Sequence, residues 1–129
     1  MIKNFEVETA PLTEYEEKTL LPVFVRGLAK KVGKDNAVTN KHIVKTMKAA
    51  MYKITDARVR KIINHIRIKG IVLGLIATSD GYYVATSEEE LAEYEESLKG
   101  REDAIRAVRI SISRQRKTLY QHSQGQLTF

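Results

Sequence analysis

The sequence has no cysteine, which excludes disulfides and any metal site built on thiolates and is consistent with cytosolic redox conditions. No apolar run approaches the ~20 residues needed to span a bilayer. The opening MIKNFEVETA lacks the apolar centre of a secretion signal, so a cytoplasmic location without membrane attachment is the expectation. No glycine-rich loop precedes a Lys-Ser or Lys-Thr pair, and nucleotide hydrolysis is therefore not expected. The three histidines, His42, His65 and His122, fall on different predicted elements, none with a partner at metal-ligand spacing. The glutamates at 88, 89, 90, 93, 95 and 96 follow a helix start, where acids offset the positive end of the dipole, and read as a solvated face rather than a cation site. Catalytic, metal and cofactor chemistry are left without candidate residues. A binding protein, not an enzyme, is the expectation.

What is abundant is positive charge in one place. The 129 residues, 43% of them hydrophobic, suffice for one domain plus an appendage, and the net charge is +6. Between Arg26 and Lys69 stand 13 lysines and arginines against only Asp35 and Asp56, a local balance of +11. Acidic residues gather instead in Glu6 to Glu17 and Glu88 to Glu96. A basic middle between acidic flanks is the footprint of a polyanionic partner met at one face.

Within that middle, TDARVRKIINHIRIKG, residues 55–70, predicts one amphipathic helix. Val59, Ile62, Ile63 and Ile66 recur at i, i+3, i+4 and i+7. Thr55 suits an N-cap, Asp56 the first turn, and Gly70 a left-handed C-terminal residue. Away from the stripe lie Arg58, Lys61, Asn64 and His65, with Arg60 and Arg67 on the flank. Guanidinium, ammonium and amide groups on a short cationic helix are what base recognition in a major groove requires. Asn64 is the best placed, because its amide can pair bidentately with adenine. His65 is either a contact or an ordinary surface residue.

Upstream, residues 2–8 alternate weakly and read as an edge strand or an arm closed by Pro11. Thr13 and Glu16 form a capping box that opens a helix to about Lys31, buried through Leu20, Leu21, Phe24, Val25 and Leu28. Pro22 should kink that helix or set its true start. Ala37 and Val38 make a short extended piece. Thr39 or Asn40 then caps a helix with Ile43, Val44 and Met47 inward and Lys41, Lys45 and Lys48 outward, suited to phosphate contact. After Gly70 the period becomes extended, IVLGLIAT and YYVAT around SDG, and Asp80-Gly81 is a strong hairpin signal. Gly74 within the first run suggests a bulge or close backbone approach.

Helix, short extended piece, helix, helix and hairpin, over about residues 13–86, resemble the winged-helix DNA-binding fold. The run ITDARVRKIINHIRIKGIVLGLIATSDGYYVATSEEELAEYEESLKGREDAIRAV is similar to small winged-helix proteins of phages and prophage-like elements. The resemblance implies a role in phage or mobile-element DNA replication or transcription control. One departure stands out: wings that touch the minor groove usually carry Lys or Arg at the tip, whereas this tip carries Ser79 and Asp80.

From Thr86 the chain is capped again, by Thr86 with Glu89 or Ser87 with Glu90, and should run helically to about His122, with Gly100 a candidate break. Leu91, Leu98, Ile105, Ile112 and Leu119 are spaced by sevens, while the companion positions Tyr94, Arg101, Val108 and Gln115 are only half apolar. Either this stripe pairs with a second copy of the chain, or residues 88–99 pack back on the domain and 101–121 form a separate helix. The last residues, with Gln124, Leu127 and Phe129, resemble the Gln-x-x-Leu-x-Phe peptides that bind the bacterial sliding clamp.

The expected fold is thus α+β and mostly helical: a winged helix-turn-helix with a C-terminal helical extension. Its parts are an arm (1–12), the domain (13–86), a helical extension (87–122) and a flexible tail (123–129). The expected function is sequence-influenced binding of double-stranded DNA. The alternative is an interaction adaptor that recruits a replication partner through its tail.

Overall fold

The computed structural model describes residues 9–126, with side chains through residue 121; the expected arm strand at residues 2–8 lies outside them. The chain is α+β and mostly helical, with one two-stranded antiparallel sheet. It divides into two compact units, Met1–Leu91 and Ala92–Phe129.

The first unit opens with the expected capping box. Thr13 N–H donates to Glu16 Oε1 at 2.9 Å, and Glu16 N–H to Thr13 Oγ1 at 3.1 Å. A π-helical turn, Glu16–Leu20, leads into helix α1, Leu21–Ala29. The wider turn is the chain's answer to Pro22, which has no N–H and sits in the first turn of α1, where none is needed. Leu21 N–H bonds back five residues to Glu16 O, so the register changes before the proline.

Helix α2, Asn40–Ala49, is capped by Thr39, whose hydroxyl accepts from His42 N–H at 3.1 Å. Helix α3, Asp56–Lys69, is capped by Thr55 and closed by Gly70 at φ 65°. Between them Met51 adopts φ 72°, and Tyr52 N–H bonds Met47 O, a left-handed helix end with methionine where glycine is usual. Val59, Ile62, Ile63 and Ile66 of α3 are all at most 1% exposed, so α3 is the axis of the core. Leu20, Phe24 and Leu28, Met47, and Val72 and Leu75 pack in the same core cluster. Full burial of each such side chain is worth roughly 1.5–3 kcal/mol.

Strands β1, Leu75–Thr78, and β2, Gly81–Val84, form the expected hairpin. Two details differ from expectation. The Ile71–Gly74 stretch is irregular rather than strand, because Gly70 and Gly74 both take positive φ. The turn residues are Ser79 and Asp80, neither with positive φ, since Thr78 pairs with Gly81. Gly81 is required for another reason. A Cβ there would lie 2.5 Å from the Val38 carbonyl oxygen, and its φ is 119°. That close approach lets the extended Ala37–Val38 piece bond the outer edge of β2, with Val38 N–H to Tyr82 O at 3.0 Å and Tyr82 N–H to Val38 O at 2.8 Å. Tyr82 and Val84 are half-buried and pack against the core cluster, while Tyr83, on the other face of β2 and paired with Ile76, is buried.

Helix α4, Glu88–Gln126, starts with Ser87 Oγ accepting from Glu90 N–H. It passes through Gly100 without the break considered above and continues past His122. The backbone of Gln124 is therefore helical, while Leu127 and Phe129 lie outside the described residues.

Gly81→Ala should lower unfolding stability by roughly 2–5 kcal/mol, from backbone strain plus overpacking. Gly27→Ala, on α1 with nothing within 4 Å of its Cβ, should raise it by roughly 0.5–1 kcal/mol. Urea unfolding of the two variants beside the parent checks both signs.

Candidate nucleic-acid interface

Because one side of α3 is consumed by the core, helical geometry dictates what the other side presents. Ala57, Lys61, Asn64 and Ile68 fall at i, i+4, i+7 and i+11 opposite the buried stripe. Asn64 is exposed, Lys61 half-buried, and Ile68 82% exposed. Arg60 and Arg67 flank this line on one side and His65, half-buried, on the other. Arg67 Nη1 donates to Asn64 Oδ1 at 3.1 Å, one helical turn away. That bond uses one of two lone pairs on Oδ1, so the amide keeps an acceptor and both N–H donors for a base edge.

Arg58 is not part of this face. The structure turns it to the opposite flank, where it is an internal anchor rather than a reader. Its Nε and Nη2 meet the two carboxylate oxygens of Glu16 at 2.8 and 2.5 Å, in a bidentate pair. Nη1 also donates to Ala10 O at 2.9 Å and Nη2 to Pro11 O at 3.0 Å. The two side chains are only 14% and 6% exposed. Bidentate pairing with Arg58 holds the Glu16 carboxyl below the usual range, against the opposing effect of burial. The same pairing raises the Arg58 guanidinium. Helical geometry gives the reason: Arg58 lies about 160° around the helix from Arg60, past the edge of the outward face.

Lys41, Lys45 and Lys48 are all exposed, on one face of α2, which packs against α3. Asn40 ties three elements together. Its Nδ2 donates to Asp56 O at 3.2 Å and Asp56 Oδ1 at 3.3 Å, and its Oδ1 accepts from Tyr82 O–H at 3.0 Å. This fixes the start of α2 to the start of α3 and to β2. At the hairpin tip Asp80 faces Lys34 at 3.7 Å, so the tip acid is locally compensated but the tip gains no net positive charge.

Neither the Glu16 partner of Arg58 nor Ile68 on the outward line was singled out from the sequence. Glu16 was legible as a capping residue but not as Arg58's partner, 42 residues away. Ile68 was readable as the next step of the outward line and is the one large apolar side chain on it; such a side chain suits a thymine methyl. A groove of about 210 Å³ lies between α1 and α2, lined by Phe24, Leu28, Ile43 and Met47 among others. Its walls bring no acid–base pair together. Among the described residues no three His, Asp or Glu side chains cluster as a metal site, and no helix is long and apolar enough to cross a membrane. No family model, curated protein or solved structure matches the chain.

Glu16→Gln preserves the capping box and removes the charge that faces Arg58. Breaking one side of such a buried pair should cost roughly 2–4 kcal/mol at neutral pH. A carboxyl with a lowered folded pKa contributes stability above its unfolded value, and that contribution disappears as pH falls through the folded value. The parent should therefore lose its advantage over Glu16→Gln as pH drops below about 4.3, the ordinary glutamate value. Urea midpoints of both proteins between pH 7 and pH 3 check this.

Proposed function

We propose that the first unit is a winged helix-turn-helix that binds double-stranded DNA. In this reading α2 and α3 are the two helices of the motif, α3 the recognition helix, and the β1–β2 hairpin the wing. The observation that carries it is the outward side of α3, where Arg60, Lys61, Asn64 and Arg67 stand on a helix whose other side is the core. Asn64 and Lys61 address base edges, with Ile68 beside them, and His65 sits at the margin. Arg60, Arg67, Lys41, Lys45 and Lys48 engage phosphates. The order of elements, with the extended Val38 piece bonded to β2, supports the winged-helix reading. The wing contributes little, since its tip carries Ser79 and an Asp80 paired with Lys34. A role in phage or mobile-element replication or transcription control is the setting that the sequence resemblance implies.

If five to eight phosphates are neutralised, log affinity for random-sequence duplex should fall against log salt with a slope near −0.9 per phosphate, about −5 to −7 in all. Lys61→Ala combined with Asn64→Ala should erase the preference among selected sequences while leaving most of the non-specific affinity. Fluorescence anisotropy across a salt series, with selection of bound sequences, reads both. Affinity that does not change with salt would contradict the proposal.

A further inference from the structure

Helix α4 carries an apolar stripe that is exposed among the described residues. Leu98 is 39% exposed, Ile105 68%, Val108 63%, Ile112 55% and Leu119 65%. Its charge is segregated along its length. Residues 88–104 hold eight acids against Lys99 and Arg101, whereas Arg106, Arg109, Arg114, Arg116 and Lys117 follow with no acid through Gln126. The switch of sign falls at Ile105, the middle member of the seven-residue series from Leu91 to Leu119.

We propose that α4 pairs with α4 of a second copy in antiparallel orientation. The residues beside the stripe select that direction. Four positions beyond each of the first four stripe members stand Glu95, Glu102, Arg109 and Arg116, which occupy one edge of the seam. Running the second helix the opposite way sets Ile105 level with Val108 of the second copy and Leu119 level with its Tyr94. The edge then places Glu95 by Arg116 and Glu102 by Arg109 of the second copy, each pair occurring twice by the two-fold axis. The other edge, Ser97, Ala104, Ser111 and Thr118, is small and uncharged and lets the helices approach. A parallel pair would gain none of these attractions. It would set Glu90 beside Glu95 and lay acid half against acid half and basic half against basic half. Arg101 and Gln115 at companion positions weaken the seam and help fix its register.

The pairing needs no DNA, so it stands or falls separately from the DNA-binding proposal. Sedimentation equilibrium of the full chain without DNA should show a monomer–dimer equilibrium. Glu102→Arg and Arg109→Glu should each weaken the dimer by about tenfold, and the two changes in one chain should restore it, because the pair is only reversed. Since the chain has no cysteine, Glu96→Cys admits one spin label per copy. In the antiparallel pair the two labels are offset by 21 residues, about 32 Å along the axis at ~1.5 Å per residue. A chain that stays monomeric at about 100 μM, a double variant as weak as the single ones, or a label separation under about 20 Å would overturn the proposal.

Discussion

The contact on which the rest of the first unit depends is the bidentate pair of Arg58 and Glu16. It joins the central helix to the capping box that opens the chain's first helix, and the remaining guanidinium donors hold the Ala10 and Pro11 carbonyls. The apolar stripe of α3 would tolerate small rotations, because hydrophobic burial has no strong direction. A forked guanidinium on a carboxylate does have one. Together with the buried stripe it therefore fixes the rotation of α3 about its axis, and with it which of the helix's polar residues face outward. The cost of burying two charges is offset by mutual pairing and by backbone acceptors, and leaving either partner alone is what would destabilise the fold.

The outward side of α3 follows from that constraint. Arg60, Lys61, Asn64 and Arg67 are presented because Arg58 and the four core residues occupy the rest of the circumference. Asn40 reinforces the arrangement from the other end through Asp56 and Tyr82, so α2, α3 and β2 are held at one junction. Gly81 permits the junction by allowing Val38 to approach the hairpin. In the proposed DNA complex, a rigid junction keeps the α2 lysines in a constant relation to the reading face, and preorganisation of that kind lowers the ordering cost of binding.

Much of the fold could be read from the sequence because its signals are local. The caps at Thr13, Thr39, Thr55 and Gly70, the stripe of Val59 to Ile66, and the hairpin at Asp80-Gly81 each involve residues within a few positions of one another. What escaped depends on contacts between distant segments. Arg58 has the chemistry of a DNA reader and the position of an anchor, and only Glu16 from 42 residues away decides between them. Gly81 reads as a turn residue in the sequence, whereas it opens β2, and its necessity comes from the close approach of Val38. The π-helical turn before Pro22 and the unbroken passage of α4 through Gly100 show the same limit. A local breaker signal states a cost, and the surrounding helix decides whether that cost is met by a change of register or simply accepted.

In the proposed complex two arginines two positions apart divide the labour, Arg58 holding the fold and Arg60 meeting DNA. Replacing them separately, as Arg58→Met and Arg60→Ala, and measuring both the urea midpoint and the salt slope of duplex binding tests this division directly. Arg60→Ala should make the slope shallower by about 0.9 with a smaller loss of midpoint than Arg58→Met, which should lower the midpoint and, where folded, keep the parent slope. The reverse assignment, with Arg58→Met changing the slope and leaving stability intact, would contradict it.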